Sequence, residues 1–229
     1  MSKVISLSFV SFLALIILSA ACRQTSNNGS LPMNHESMNH DSMNHNSMPM
    51  NSNNRMNSNE MSRMSEMKSD PDAATAPFDL QFIDTMTHHH EGAVRMSEMA
   101  LKKSQNEELR KFAQKIIDDQ KKEIGQMKDW RDKWYAGKPA AKNMEMPGMA
   151  GSMKMMSGEM EKMEAAAGQD FDLMFLDMMI PHHQDAVMMS KSALEKAAHT
   201  EIKTLANQII KAQNEEIEKM TDWKAQWSK

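Results

Sequence analysis

The chain contains two related stretches, FDLQFIDTMTHHHEGAV at Phe78–Val94 and FDLMFLDMMIPHHQDAV at Phe171–Val187. The similarity continues without gaps, so that residues 78–134 align with residues 171–227 at a constant offset of 93. Of these 57 aligned positions, 26 are identical. A gapless match of this length indicates an internal duplication, and we expect the two copies to share one fold.

Each copy has the hydrophobic spacing of two helices. In the first copy, one stripe with a spacing of three and four residues runs from Leu80 to Leu101, and a second runs from Leu109 to Trp130. The polar break Ser104-Gln105-Asn106 separates them and suits a helix N-cap. A short break between two long helices predicts an antiparallel hairpin. Two such hairpins hide their apolar stripes against each other, which predicts an all-α four-helix bundle.

The composition narrows the classes of function. The 229-residue chain has 28 Met but a single Cys, which excludes an internal disulfide and a cysteine-based zinc or iron–sulfur site. The formal charge of −4 argues against nucleic acid as a main partner. What remains is a polar, helix-forming protein rich in thioether sulfur.

Residues 1–22 predict export. Lys3 gives a positive start, and the mostly apolar run Phe9–Leu18 is too short to span a bilayer. Ser19-Ala20-Ala21 then precedes Cys22, which resembles a bacterial lipoprotein signal with Ser19 where Leu is commonest. An ordinary cleaved signal peptide is the alternative. We expect a periplasmic or cell-surface protein, tethered to the membrane only by a lipid on Cys22.

Residues 23–76 are predicted to form a disordered arm, because they are poor in large aliphatic side chains. A five-residue Met-Asn-His repeat lies within it, and core packing cannot explain Met in a segment without a core. We therefore expect flexible capture of metal ions, with a Met-rich oxidant sink as the alternative. The predicted arm ligands are Met33, His35, Met38, His40, Met43, His45, Met48 and Met50.

The remaining segments follow from the repeat. Helical hairpins are predicted at 77–136 and 169–229, and a Met-rich crossover at 137–168 joins them. The crossover is expected to be flexible at first and helical from Gly158 on. Its Met residues are spaced as Met-x-Met and Met-x-x-Met, and the same two interpretations apply as for the arm, metal binding or an oxidant sink.

The first helix of each hairpin presents Met and His on one face. Imidazole and thioether are copper ligands, and thioether favours Cu(I). Core packing of Met, with each buried His satisfied by a hydrogen bond, is the alternative. Gln and Glu side chains on the partner helices could ligate the metal or orient the imidazoles. The candidate ligands are Met86, His89, His90, Met96, Met179, His182, His183 and Met189, and the candidate orienting residues are Gln120, Glu123, Gln213 and Glu216.

The pattern Met86-x-x-His89-His90, followed by Gln120-x-x-Glu123, resembles the family called domain of unknown function 305, and the second copy resembles it again as a tandem repeat. That family is regarded as ferritin-like and helical, and it includes exported copper-binding proteins linked to copper resistance. The resemblance implies an extracytoplasmic copper-binding role. These helices lack the Glu-x-x-His pairs of di-iron carboxylate bundles, which argues against oxygen chemistry.

The expected function is binding and sequestration of copper, chiefly Cu(I) and also Ag(I), outside the cytoplasm, without catalysis. The arm would capture the ion and the bundle would hold it, with a copper efflux or delivery protein as a further partner. Two rivals remain open. One is a ferritin-like metal oxidoreductase, and the other is an oxidant-sink or envelope interaction protein without a specific metal.

Overall fold

The helices of the bundle follow the predicted pattern. The computed structural model describes residues 68–149 and 158–229, and it contains no strand within those ranges. This confirms the all-α class. After a 3-10 turn at Ala73–Thr75, the helices are α1 (Phe78–Lys103), α2 (Glu107–Tyr135), α3 (Glu159–Ala165), α4 (Gly168–Lys196) and α5 (Thr200–Trp227). None of the described helices is long and apolar enough to cross a membrane.

The turn between α1 and α2 forms as its sequence predicts. Asn106 is the N-cap of α2, and its side chain accepts hydrogen bonds from the backbone N–H groups of Glu108 and Leu109 at 2.9 and 3.2 Å. Glu107 and Glu108 place negative charge in the first turn, where the helix dipole favours it. The capped turn lets α2 fold back along α1.

The two hairpins meet through their first helices. α1 packs on α2, α4 packs on α5, and α1 packs on α4. Phe82 and Met86, near the start of α1, share one hydrophobic core with Met189 and Ala193, near the end of α4. α1 and α4 therefore run antiparallel, and each hairpin covers the apolar stripe of the other.

Two hydrophobic cores fill the bundle, and the duplication relates them. The first core takes Phe82 and Met86 from the first hairpin and Met189 from the second. The second core contains their equivalents at the offset of 93, with Phe175 and Met179 from the second hairpin and Met96 from the first. The hairpins are thus related by a pseudo-two-fold axis, and each core takes side chains from both copies.

The crossover packs onto these cores, which corrects the expectation of an early flexible segment. Met144, Met146 and Met149 are 2–7% exposed and lie in the first core, and Met163 lies fully buried in the second. The backbone N–H of Asn143 donates to Thr85 Oγ1 at 2.9 Å and anchors the segment to α1. These four Met side chains are core residues, because burying a thioether stabilises the fold without any metal.

The last residues of the predicted arm lie against the crossover. The backbone N–H of Asp70 donates to the Lys142 carbonyl at 2.8 Å, and the N–H of Met144 donates to Ser69 Oγ at 2.9 Å. Residues 1–67 lie outside the described part, so the predicted signal, the lipidation at Cys22, the disorder of the arm and its eight Met and His ligands stay predictions.

The two ends of the bundle have diverged. At one end the buried Asp79 carboxylate accepts hydrogen bonds from the backbone N–H groups of Ala198 and His199, both at 2.9 Å. It also pairs with the His199 ring, which stacks on Trp134 at a centroid distance of 3.8 Å. At the other end Asp172, the duplicate of Asp79, keeps a buried Oδ1 atom without a hydrogen-bond partner. His199 occupies the N-cap position of α5, but its side chain makes no capping bond.

This divergence gives a matched pair of variants. Asp79→Asn removes a charged acceptor from the loop before α5, and we expect it to lower the free energy of unfolding by about 2–3 kcal/mol. Asp172→Asn should leave stability nearly unchanged, because burial raises the pKa of this carboxyl against the opposing hydrogen bond with Ser104, and an amide oxygen can still accept that bond. Urea denaturation of both variants measures the difference. Equal losses would show that Asp79 does not hold the loop.

Candidate metal centre

A layer of polar side chains separates the two cores. Along α1, His89 and His90 lie between the residues of the first core and those of the second, and His182 and His183 do the same along α4. The four imidazoles are 0–3% exposed. We call these residues, with the side chains that face them from α2 and α5, the histidine layer: His89, His90, His182, His183, Gln120, Glu123, Gln213 and Glu216.

Two of the imidazoles are held by carboxylates on the neighbouring helix. His90 Nε2 lies 2.7 Å from Glu123 Oε2, and its duplicate His183 Nε2 lies 2.9 Å from Glu216 Oε2. Because a carboxylate accepts, Nε2 donates, and a neutral imidazole then has its lone pair on Nδ1. Both Nδ1 atoms are buried without a hydrogen-bond partner. The carboxylates thus orient two nitrogen lone pairs in the way that second-shell groups orient metal ligands.

The other two imidazoles meet across the pseudo-two-fold axis. The ring centroids of His89 and His182 are 3.7 Å apart, with the ring planes inclined by 32°. Burial, and then the neighbouring histidines, lower the pKa of both rings well below the ordinary value of 6.5. Both are therefore neutral at pH 7, which is the form of imidazole that binds a metal.

The two carboxylates of the layer differ in their surroundings. Burial alone would raise the pKa of Glu216, but its hydrogen bonds to His183 and Lys115 outweigh burial and lower it. Lys115 reaches across from α2 to α5, and its Nζ lies 2.7 Å from Glu216 Oε1. Glu216 is consequently ionised and bonded through both of its oxygens.

The predicted Met ligands flank the layer but are divided between the cores. Met86 and Met189 lie in the first core, whereas Met96 and Met179 lie in the second. The two Met of one helix are separated because ten residues of helix rise by about 15 Å. Each side of the layer therefore has one of the predicted Met ligands from each hairpin, and the sets predicted on single helices are not single clusters.

The donors of the layer suit a soft metal ion. Within the described ranges, no three His, Cys, Asp or Glu side chains converge so as to hold a metal ion. Gln120 Oε1 and Gln213 Oε1 are buried without hydrogen-bond partners. A bound ion or water molecule would satisfy these two oxygen atoms. Neutral imidazole nitrogens near thioethers fit Cu(I) or Ag(I), but they do not fit the oxygen-rich sites of Ca²⁺ or Mg²⁺.

Sequence reasoning missed two features of the centre. It did not single out Lys115, although the alignment of the two copies places Gln208 opposite Lys115. It also left open whether the His doublets face one another, because the direction in which two hairpins dock is not encoded in the spacing of either one. The docking places His89 against His182.

Together, the fold and the layer define a duplicated helical-bundle protein with a buried histidine centre. The chain belongs to the DUF305 family, described as a domain of unknown function, whose sequence pattern matches residues 79–224. This confirms the predicted family. The match runs through both hairpins at once, so the expectation of two tandem copies of the family domain stays a prediction.

Solved structures of this family share the fold. CopM in its Cu(I)-bound form is 36% identical, with a TM-score of 0.54, and the alignment covers 65% of this chain and 96% of that one. CopM in its Cu(II)-bound form is 38% identical, with a TM-score of 0.56 and coverages of 65% and 97%.

A third structure broadens the comparison. A DUF305 protein from Streptomyces coelicolor, named as a secreted protein, is 30% identical with a TM-score of 0.59 over 66% of this chain and 93% of that one. CopM has also been solved with Ag bound. No functionally curated protein matches the chain significantly.

Proposed function

We propose that this protein binds and sequesters copper as Cu(I), and Ag(I) in the same way, outside the cytoplasm. The observation that carries the proposal is the buried layer of four histidines, in which two rings are kept neutral and two have an oriented Nδ1 lone pair. The CopM structures with Cu(I), Cu(II) and Ag support the choice of metal.

The mechanism is storage rather than turnover. Oriented imidazoles hold a soft cation, buried thioethers flank it, and a hydrophobic core covers the layer on each of its two sides. A dry site of neutral donors favours a singly charged ion over a doubly charged one, because the uncompensated charge to be buried is smaller. The signal and Cys22 would place this store at the outer side of a membrane, where an efflux or delivery protein could take up the ion.

The layer is tested by competition for Cu(I). We expect the purified protein to withdraw Cu(I) from a chelator. A quadruple variant should lose about 100-fold or more in its tightest affinity for Cu(I). This variant combines His89→Gln, His90→Gln, His182→Gln and His183→Gln. Zn²⁺ is the control metal, and circular dichroism checks that the variant stays helical. Unchanged affinity in this variant would show that Cu(I) binds to the arm and not to the histidine layer. If the intact protein did not compete for Cu(I), the copper proposal would be wrong.

The arm needs its own test. A variant that lacks residues 31–67 keeps the whole histidine layer, so we expect it to retain the tightest Cu(I) equivalent but to bind fewer equivalents and to take them up more slowly. The measurement is stoichiometry and uptake rate in the same chelator assay. Identical stoichiometry and rate would show that the arm has no role in capture.

A further inference from the structure

The duplication provides an internal comparison of the two halves of the histidine layer. His90 with Glu123, and His183 with Glu216, are equivalent pairs at the offset of 93. Of the eight residues of the layer, seven are buried, and Glu123 alone is half-buried. Its side chain is 17% exposed, against 8% for that of Glu216. The two halves of the layer are therefore unequally open to solvent.

A lysine, Lys115, lies beside the Glu216 half of the layer. Its Nζ bonds Glu216 Oε1 at 2.7 Å and Asp119 Oδ2 at 2.8 Å, so the ammonium closes over the Glu216 carboxylate. The duplication puts Gln208 where Lys115 stands and Ala212 where Asp119 stands. The Glu123 half therefore has neither the ammonium nor its second carboxylate.

We propose that Lys115 is a positioning residue that latches the Glu216 half of the layer shut, so that solvent and ions reach the histidines from the Glu123 half. The latch concerns the access of solvent to the histidine layer and does not depend on a bound metal ion. Its consequence for metal entry rests on the proposed function.

The physical argument is one of opening cost. For Glu216 to swing away from His183, it must also break a charge-assisted bond to Lys115, which is stronger than a neutral bond. For Glu123 to swing away from His90, only its hydrogen bond to the imidazole must break, and the carboxylate is already partly exposed to solvent. Local openings of low cost occur more often, so the Glu123 side opens more often.

The latch is tested without any metal by exchange of the imidazole C2 hydrogen, followed for each histidine by mass spectrometry of the chelator-treated protein. We expect His90 to exchange about fivefold faster than His183, as an ion pair of this kind implies. Lys115→Gln should bring the two rates together, and Lys115→Arg should restore the difference. Gln208→Lys, at the matched exposed position, should slow His90.

Equal rates for His90 and His183 in the intact protein would overturn the latch. A difference that survives Lys115→Gln would overturn it as well. Because Lys115 and Gln208 are both exposed, neither change empties a core position, and the unfolding midpoint checks that the fold is kept.

The route of entry is tested with Ag(I), which needs no reductant, by stopped-flow measurement of its uptake. Gln208→Lys should slow uptake into the layer about fivefold, whereas Lys115→Gln should not slow it. Equal uptake by both variants would overturn the Glu123 route. If no variant bound Ag(I), the proposed function would fail with the route, while the exchange rates would still decide on the latch.

Discussion

Acidification below pH 6.5 is expected to destabilise the metal-free bundle steeply. His89 and His182 have pKa values held well below 6.5 by burial, whereas in the unfolded chain they titrate near that ordinary value. A base whose pKa is lowered by folding contributes stability that is complete above 6.5 and is lost as the pH falls toward the folded value. Below pH 6.5, each histidine lowers the free energy of unfolding by up to about 1.4 kcal/mol for each pH unit. The pair together lowers it by up to about 3 kcal/mol for each pH unit.

Glu216 extends the same trend to lower pH. Its pKa is lowered from the ordinary value of 4.5, so its contribution is complete above that value and is lost as the pH falls further. The free energy of unfolding, from urea denaturation between pH 7.5 and 3 with a chelator present, measures the slope of both contributions. Both contributions lower the free energy of unfolding as the pH falls, because the histidines and Glu216 bind more protons in the unfolded chain than in the folded one.

A pair of variants assigns the slope to the layer. His89→Gln with His182→Gln removes the two titrating rings and should flatten the loss between pH 6.5 and 5. His88→Gln, one residue before the doublet and only half-buried, is the matched control and should keep most of the slope, because His88 contributes least of the neighbouring histidines to lowering the pKa of His89. A slope that is unchanged in the double variant would show that the acid sensitivity arises elsewhere.

Gly148→Ala is expected to detach the crossover from the bundle. Gly148 has a φ of +96°, and a Cβ there would overlap the backbone of Asp185, with its carbonyl carbon at 2.9 Å and its Cα at 3.0 Å. Backbone atoms of α4 cannot rotate away as a side chain could. Relief requires the loop to lift, which exposes Met144, Met146 and Met149, and we expect a loss of about 3–4 kcal/mol.

Gly125→Ala is the opposite case in the same chain. Gly125 lies within α2, and a Cβ there meets nothing within 4 Å. Alanine in a helix interior is favoured over glycine, so stability should rise by about 0.5–1 kcal/mol. Thermal and urea denaturation of both variants give the comparison. A loss below 1 kcal/mol for Gly148→Ala would mean that the crossover can shift without leaving the first core.

Much of the fold could be predicted because its determinants are local. The stripe from Leu80 to Leu101 and the capping Asn106 act within a few residues of chain, and so their effects are visible in the sequence. The gapless alignment of the two copies then extends the prediction from the first hairpin to the second. The helical hairpins follow from these features alone.

The centre was harder to predict because it depends on contacts between distant residues. Met144 in the crossover and Met86 in α1 are far apart in the sequence, and only packing shows that both are buried in the first core. Lys115 and Glu216 are 101 residues apart, and no spacing rule links them. The seating of Gly148 against Asp185 is equally invisible, because glycine is expected in any loop.

The sharing of each core between the hairpins bears on how such a chain could have arisen. A hairpin whose apolar stripe is completed by a copy of itself, antiparallel and about a two-fold axis, is the unit of a symmetric homodimer. Joining the two subunits through residues 137–168 keeps the two hairpins packed on each other and removes the dependence on concentration. After fusion the two copies no longer need to have the same sequence, so that a lysine can be kept at position 115 while a glutamine stands at 208.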